Sequence, residues 1–251
     1  MFLLIIWNQY IIIFLVKITP KFHYEPYKRK TVNGSRHYIC KEFVLPSVTT
    51  ILSKTKDMTA LDEWAARVGK DNAEAIKNEA AARGSRMHKH IEDYITEGKE
   101  VEEDANEIHT SMALLVLEKI RPHLKEIWGS EINLYYPGKY AGTTDIAGVW
   151  NNKPAIVDFK QTNKPKKEEW VDDYKLQLVS YAEAHNKLFA TDIQTGVIVM
   201  CSQFLDYQEF YISESEFSFY KKQWWERVEE YYNLKVFQDA QDSCIKGTSL
   251  D

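Results

Sequence analysis

A turn at Asn151 and Asn152 constrains the fold of this chain more than any other feature of its sequence. The flanking residues, 140–150 and 155–159, are rich in β-branched, aromatic and small apolar residues, as strands often are. Two asparagines between such runs are typical of the two-residue loop of a β-hairpin. The loop sets the register of the hairpin, because every pair of facing residues is counted from the first pair beyond the turn.

Counting back from this turn brings three charged side chains together. Asp145 falls directly opposite Asp158, and strand alternation puts Lys160 on the same face as Asp158 while Phe159 points into the core. Cross-strand neighbours lie about 5 Å apart, and two carboxylates at that distance repel each other unless a cation or a proton bridges them. Oxygen ligands of this kind suit Mg²⁺ or Mn²⁺. The alternative for the hairpin alone is a surface salt bridge between Asp158 and Lys160.

The remaining patterns predict an α/β fold in which 132–136, 140–150 and 155–159 are three consecutive antiparallel strands. Asn33-Gly34 is a strong hairpin turn signal and predicts a β-hairpin arm at residues 20–44. A domain follows at 45–236, and a polar tail at 237–251. Within the domain we expect a short apolar segment at 48–52, helices at 59–69, 71–95, 102–128 (interrupted near Pro122), 168–188 and 213–234, and further strands at 132–136, 197–200 and 207–212. Thr59 and Asp62 resemble a capping box at the start of the first helix.

Composition excludes several classes of protein. The 32 Lys and Arg against 37 Asp and Glu give a net charge of -5, so any nucleic acid would have to meet a local basic patch. The cysteines, Cys40, Cys201 and Cys244, form no CxxC pair. This excludes a ribbon-type zinc site and an iron–sulfur cluster supplied by this chain alone, and it predicts buried free thiols in a reducing compartment.

The first eighteen residues form an apolar segment of uncertain role. As a helix, Met1 to Val16 would span roughly 24 Å, less than the roughly 30 Å core of a membrane, and Asn8 and Gln9 interrupt it. No basic residue precedes the segment and no small-residue cleavage site follows it, so a secretory signal is disfavoured. A membrane anchor, a strand packed on the domain and an extension from a misplaced start remain as alternatives.

Five sequence elements, two of which contain the hairpin residues described above, together resemble a known enzyme family. In chain order they are Gly84-x-x-x-His88, Glu131, Gly142-x-x-Asp145, Asp158-Phe159-Lys160 and Gln177-x-x-x-Tyr181. Their order, spacing and predicted secondary structure resemble the PD-(D/E)xK nuclease superfamily, specifically its RecB-like branch. Within that branch, residues 45–188 look most like the group of phage exonucleases and the mitochondrial genome maintenance exonuclease, and SVTTIL at residues 47–52 is a further family-like element. The resemblance covers a little over half of the chain.

This resemblance implies a fold and a reaction. The fold would be a restriction-endonuclease-like core, a mixed sheet flanked by helices, with the N-terminal β-hairpin arm and a helical insertion that covers the cleft. His88, Asp145 and Asp158 would bind one or two Mg²⁺ or Mn²⁺ ions together with the carbonyl of Phe159, and Lys160 would orient or activate the attacking water. The implied activity is hydrolysis of phosphodiester bonds, most readily at the ends of single-stranded DNA.

Glu131 matches the additional acidic residue of the family, but its register is open from the sequence. A two-residue loop at Pro137-Gly138 would place Glu131 opposite Thr144. Only a longer or bulged loop would bring it beside Asp145. The alternative is a solvated carboxylate at the end of a strand.

Two helical motifs complete the expected site. A lone histidine on an apolar helix face is more often a core residue than a ligand, but Gly84, one turn before His88, would let the helix approach the sheet closely. In this family the motif brings the imidazole to the metal. Gln177 and Tyr181 match a QxxxY element, which implies contacts to the catalytic lysine or to the nucleic-acid backbone.

Basic residues near the site predict a track for DNA on an otherwise acidic protein. Lys164, Lys166 and Lys167 follow Lys160 closely, and the other candidates, Arg83, Arg86 and Lys89, flank His88. A solvated loop without a ligand is the alternative for the lysines.

Two other functions compete with a DNA exonuclease. One is an endonuclease with the same active site, and the other is a catalytically silent DNA-binding subunit. The resemblance also implies a role in replication, repair or recombination, with proteins of those processes as further partners. We expect the cytoplasm of a bacterium or of a phage-infected host as the location.

Overall fold

The computed structural model describes residues 18–247, with side chains through residue 236. The predictions for the apolar segment fall almost wholly on residues 1–17, which lie outside the described residues. In the part of the chain that is described, no helix has both the length and the apolar character needed to cross a membrane.

The described residues form two β-sheets and six α-helices. The strands are β1 Lys28–Val32, β2 Ser35–Cys40, β3 Phe43–Pro46, β4 Leu124–Tyr136, β5 Tyr140–Trp150, β6 Lys153–Thr162, β7 Thr195–Ser202 and β8 Tyr207–Ile212. The helices are α1 Val48–Lys54, α2 Thr59–Val68, α3 Lys70–Glu97, α4 Ile108–Ile120, α5 Asp172–Phe189 and α6 Glu214–Gly247, with a 3₁₀ turn at Glu168–Trp170 before α5.

The larger sheet has the strand order β4-β5-β6-β7-β8. Its neighbours are antiparallel except β6 and β7, which are parallel and are connected through α5. Side chains alternate between its two faces. Ile198 packs in a core with α1, α5 and α6, whereas Val197 and Val199 pack in a second core with α3 and α4. The predicted mixed sheet flanked by helices is therefore confirmed.

The β5–β6 hairpin has the register that its turn predicts. Trp150 pairs with Lys153, and Asn151 and Asn152 adopt φ angles of 47° and 66° in the left-handed region. Asparagine tolerates this region better than most residues, which is why the two-residue loop forms here. The three consecutive antiparallel strands β4, β5 and β6 are confirmed.

The N-terminal arm is larger than predicted. Its hairpin closes at Asn33 and Gly34 as expected, but β3 adds a third antiparallel strand. The turn between β2 and β3 runs through Lys41, whose φ is 53°, and contains no glycine, asparagine or proline, so it carries no local sequence signal. We call this three-stranded sheet, residues 28–46, the arm.

Several predicted helix boundaries are wrong. Because α4 ends at Ile120, the residues Leu124 and Ile127 belong to β4 rather than to a helix. Apolar side chains in a strand that is buried on both faces mimic a helical spacing. At the other end of the chain, α6 continues beyond Leu234 through Gly247, into the stretch expected to be a tail.

Two local features of the helices also differ from expectation. The apolar segment after Pro46 is the helix α1, whose first turn is capped by Ser47. The capping box at Thr59 is absent: Asp57 instead accepts hydrogen bonds from the Thr59 N–H and hydroxyl groups. Cys40 and Cys201 are buried free thiols, as predicted.

Candidate active site

Four elements of the fold meet at a group of five charged or titratable side chains, which we call the acidic centre. They are His88 from α3, Glu131 from β4, Asp145 from β5, and Asp158 and Lys160 from β6. One ligand atom from each of His88, Glu131 and Asp145 lies within 4.8 Å of the other two. The fold therefore brings together residues that lie up to 72 positions apart in the chain.

Asp145 is placed where the pairing of β5 with β6 stops. The last pair before it is Ile146 with Val157, so the register carries Asp145 to the position opposite Asp158, as the turn predicts. One carboxylate oxygen of Asp145 accepts a hydrogen bond of 2.6 Å from the backbone N–H of Phe159. The side chain thus replaces a backbone acceptor at the end of the ladder, and the Phe159 ring is buried in the core as expected.

Glu131 reaches the centre because the loop between β4 and β5 is longer than two residues. Tyr136 pairs with Tyr140, which leaves three residues in the loop, and the pairs on either side of Glu131 place it opposite Asp145. Glu131 has a φ of 51°, a left-handed conformation that is rare for this residue type. The register that the sequence left open therefore places Glu131 beside Asp145.

His88 reaches the sheet through a close helix contact. A Cβ atom on Gly84 would lie 3.1 Å from Cγ of Gln161 on β6, which confirms that glycine allows α3 to approach the sheet. The Nδ1 atom of His88 is 3.5 Å from a carboxylate oxygen of Asp145. Burial lowers the pKa of His88, but the charge and hydrogen bond of Asp145 outweigh this and raise the pKa overall.

The three carboxylates of the centre differ in their protonation. Burial raises the pKa of Asp145, but His88, Lys160 and the Phe159 N–H group together bring it below its usual value. Burial raises the pKa of Asp158 to about 6, with Asp145 adding to the effect and Lys160 opposing it. Burial and Asp145 raise the pKa of Glu131 to about 7. Burial therefore disfavours the charged forms of Asp158 and Glu131, which a nearby cation would favour.

Lys160 is held by two contacts. Its ammonium group forms an ion pair with Asp158 and lies 5.2 Å from the centre of the Tyr174 ring. Burial lowers the pKa of Lys160, but Asp158 and Asp145 raise it overall. The side chain accordingly stays a charged donor.

The QxxxY element contacts Asp158, the ion-pair partner of Lys160, through Gln177. The Gln177 amide donates to Asp158 at 3.5 Å and to the Tyr181 hydroxyl at 3.1 Å. A Cβ atom on Gly142 would lie 2.6 Å from the Tyr181 ring, so only glycine fits at this position of β5. The structure thus gives Gln177 a contact with Asp158, where the family resemblance implied the lysine or the nucleic acid.

The basic residues expected around His88 have different surroundings. Arg83 is only 7% exposed, and its guanidinium donates to Gln161 at 2.8 Å and also to Asn163 and Glu79. These contacts attach α3 to the end of β6 and leave little of Arg83 for a ligand. The neighbouring residues Arg86 and Lys89 are exposed, and Lys89 forms ion pairs with Glu92 and Asp93.

The lysines after β6 lie on a loop that is attached to β8. The Lys166 N–H group donates to the Gln208 side chain at 2.7 Å, and the Gln208 amide donates back to the Lys166 carbonyl at 2.9 Å. Lys164 and Lys167 are exposed, and Lys166 is partly exposed. Lys167 lies 5.2 Å from the centre of the exposed Trp170 ring.

Sequence reasoning missed three kinds of residue near the centre. Glu92 raises the pKa of Glu131, and its position one turn after His88 could have indicated this. Tyr174 contacts Lys160, and its spacing of three from Gln177 was a signal of the same kind. Arg29 and Arg36 of the arm line the cleft over the centre. No local pattern could have indicated the arginines, because the arm and the centre are distant in sequence.

The donor set fits a divalent metal ion. His88, Glu131 and Asp145 offer an imidazole nitrogen and carboxylate oxygens within reach of one ion. Burial, and then the charge of Asp145, raise the pKa of Glu131, and a divalent cation at this position would favour its charged form. Glu131 thus joins the set of expected ligands, while Asp158 is occupied by its ion pair with Lys160.

Comparison with curated proteins adds independent information. The chain is similar to mitochondrial genome maintenance exonuclease 1. It is 25% identical to the human protein over 214 residues, which cover 79% of this chain and 61% of that protein. It is 27% identical to the mouse protein over 202 residues, which cover 74% of this chain and 59% of that protein. This similarity confirms the resemblance that the five elements indicated, although the chain spans less than two thirds of either relative.

Other comparisons are less informative. No family model matches the chain. A crystal structure from Eubacterium rectale, described as a candidate exonuclease, overlaps this fold with a TM-score of 0.41 and 14% identity over 60% of this chain and 64% of that one. An overlap at this level carries no argument about fold or activity.

Proposed function

We propose that this chain is a metal-dependent deoxyribonuclease that hydrolyses phosphodiester bonds. The observation that carries the proposal is the convergence of His88, Glu131 and Asp145 within 4.8 Å, beside the ion pair of Asp158 with Lys160. The similarity to an exonuclease supports the same conclusion. A surface salt bridge, the alternative for the hairpin, is disfavoured because Asp158 is only 2% exposed.

The acidic centre divides the chemical work among its residues. His88, Glu131 and Asp145 would hold Mg²⁺ or Mn²⁺, with Asp158 and the Phe159 carbonyl as the further ligands that the family resemblance implies. When bound, one or two such ions polarise the scissile phosphate and lower the pKa of water. The protein itself supplies an arrangement of ligands that the hairpin, α3 and the short β4–β5 loop hold in place before substrate arrives.

Lys160 supplies positive charge to the reaction. Its raised pKa keeps it protonated, so it donates to the attacking water or to the phosphate oxygens and stabilises the negative charge that develops there. Asp158 orients the ammonium group, and Gln177 orients Asp158. A role as general base is disfavoured, since a protonated lysine has no lone pair to accept a proton.

The ends of single-stranded DNA are the substrate that we favour, on family resemblance. An endonuclease with the same centre would differ only in how the strand enters the cleft. The two activities separate cleanly on matched linear and circular single strands. An exonuclease degrades the linear strand and spares the circle, whereas an endonuclease opens the circle.

The proposal is tested by digestion of end-labelled single strands with Mg²⁺, with Mn²⁺ and with chelator. Asp158→Asn should remove cleavage while retaining the fold, and Asp192→Asn, at an exposed position away from the centre, serves as the matched control. Full cleavage by folded Asp158→Asn protein would overturn the assignment. Binding of DNA by the unaltered protein with no cleavage under any of these conditions would favour the silent DNA-binding subunit.

A further inference from the structure

A cleft of about 430 Å³ separates the arm from the acidic centre. Its lining includes the carboxylates of Glu92, Glu131 and Asp145. The same cleft is lined by Arg29 from β1 and Arg36 from β2. The arm therefore adds positive charge to the cleft that contains the candidate metal ligands.

The register of the arm explains why both arginines face the cleft. Arg29 pairs with Tyr38, and Thr31 pairs with Arg36, so the two arginines lie on one face of the hairpin. The neighbouring residues Lys28 and Lys30 alternate to the other face. Strand β1 thus presents Arg29 toward the cleft and two lysines, Lys28 and Lys30, toward solvent.

The SVTTIL element fixes the backbone of Arg36. The Ser47 N–H group and the Thr50 hydroxyl both donate to the Arg36 carbonyl, at 2.9 Å and 3.0 Å. The Ser47 side chain also caps α1 by accepting from the Thr50 N–H group. A bridge between Ser47 and Ala141 attaches the same element to β5. The position of Arg36 is therefore coupled to the strand that carries Asp145.

Arg29 is held by a second set of contacts. Its guanidinium donates to the Thr143 hydroxyl at 3.4 Å and lies 5.7 Å from the centre of the Tyr38 ring. The Tyr38 hydroxyl contacts the same Thr143 oxygen at 3.1 Å. Since Thr143 is two residues from Asp145 on β5, the Arg29 head group is oriented by the strand that builds the centre.

Within the described part of the protein, neither Arg29 nor Arg36 forms an ion pair. Lys89, which also lines the cleft, forms ion pairs with Glu92 and Asp93, and Lys160 forms one with Asp158. Among residues 18–236, no carboxylate lies within ion-pair distance of Arg29 or Arg36. Two guanidinium groups that line one cleft and form no ion pair are suited to bind an external anion.

We propose that Arg29 and Arg36 bind a phosphate group of the substrate strand next to the one that is cleaved. The inference rests on the proposed function, because a DNA strand must reach the acidic centre through this cleft. Guanidinium groups bind phosphate in a planar, two-pronged geometry, so the pair sets the position of the strand as well as its affinity. The SVTTIL element then has a defined task, which is to position Arg36.

The test measures binding of a fluorescent single strand in chelator, where no cleavage occurs. The Arg29→Gln/Arg36→Gln variant is compared with Lys28→Gln/Lys30→Gln, which removes the same charge from the other face of the same hairpin. We expect the arginine variant to bind at least about tenfold more weakly at low salt, with a log-log salt slope flatter by about 0.7 for each phosphate no longer neutralised, and the lysine variant to change much less. Equal changes in the two variants would overturn the proposal, provided that both melt like the unaltered protein.

Strands with and without a terminal phosphate identify which phosphate is bound. An equal loss of affinity on both strands assigns the pair to an internal phosphodiester. A loss confined to the phosphorylated strand assigns it to the end of the strand. In Mg²⁺, the arginine variant should raise KM more than it lowers kcat, whereas absence of cleavage by the unaltered protein would refute the proposed function and leave the binding result standing.

Discussion

Two hairpins closed by asparagine-containing two-residue turns, β1–β2 and β5–β6, follow the same local rules but differ in whether their charged side chains form ion pairs. Both turns have left-handed residues, and in both the register decides which charged side chains share a face. In the arm, that face presents Arg29 and Arg36 to the cleft, where neither forms an ion pair with a described carboxylate. In the central sheet, it presents Asp158 and Lys160 to each other in a buried ion pair.

The difference comes from the position of each hairpin in the fold. The β5–β6 hairpin lies inside a five-stranded sheet with helices on both faces, so its charges lose water and must be neutralised by other groups. The arm belongs to a small sheet at the edge, where a solvated charge costs little and stays available to a ligand. The turn thus determines which side chains share a face, and burial determines whether their charges are neutralised internally or remain available to a ligand.

The largest expected effect concerns the buried ion pair. Lys160→Ala should lower turnover by about 10²- to 10³-fold, because it removes a fixed positive charge next to the scissile phosphate. Metal affinity should fall far less, since the ammonium group is not a ligand. Turnover is measured on end-labelled single strands, and metal affinity by titration calorimetry. Loss of metal binding comparable with that of Asp145→Asn would show that the roles are assigned wrongly.

The next effect tests how tightly the central hairpin is packed. A Cβ atom on Gly148 would lie 2.1 Å from the backbone oxygen of Glu126 on β4. Gly148→Ala should therefore lower the free energy of unfolding by about 3 kcal/mol, because backbone atoms have to move. Chemical denaturation measures the change. A decrease below about 1 kcal/mol would indicate that the backbone of β4 adapts easily to the added methyl group.

A third prediction concerns the joint between the segment before the arm and the central domain. Phe22 and Tyr24 pack on His185 of α5, whose pKa burial lowers to about 4. Well above the unfolded pKa of about 6.5 the imidazole is neutral in both the folded and the unfolded chain. As the pH falls toward 4 the unfolded chain takes up the proton first, so the free energy of unfolding should fall by up to about 3 kcal/mol.

The pH dependence is measured by denaturation at a series of pH values. His185→Gln should flatten it, whereas His23→Gln, at an exposed histidine of the same segment, should not. Equal pH dependence in the unaltered protein and in His185→Gln would show that protonation of His185 does not cause the loss of stability.

The loop after β6 offers a comparison with the arm. Changing Lys164, Lys166 and Lys167 to Gln should flatten the log-log salt dependence of single-strand binding, by about 0.7 for each phosphate that the loop no longer neutralises. The control changes three exposed lysines of α6, Lys221, Lys222 and Lys235, and so removes the same charge elsewhere. An unchanged slope in the loop variant would mean that these lysines are only solvated.

The smallest effect belongs to the turn of the arm. Gly34 has a φ of 71°, but a Cβ atom there would meet no atom within 4 Å. Gly34→Ala should cost only about 1 kcal/mol, the preference against the left-handed region. A cost equal to that of Gly148→Ala, measured by the same denaturation, would contradict the contrast between an edge hairpin and a central one.

Local sequence determined the parts of the site that lie within one element or one turn. Asn151 and Asn152 set a register that places Asp145 opposite Asp158 and puts Lys160 on the same face. The spacing from Gly84 to His88 placed both on one side of α3. Each of these predictions depends on contacts between residues close in sequence, where backbone geometry leaves few alternatives.

The tertiary structure decided which distant groups share the site. The loop of three residues after Tyr136, which the sequence left open, brought Glu131 to Asp145. Arg83 is buried and its hydrogen bond to Gln161 attaches α3 to β6. Packing of the arm on β5 places Arg29 in the cleft. These outcomes depend on how separate elements pack, and no short stretch of sequence encodes that packing, because its energy comes from contacts between residues far apart in the chain.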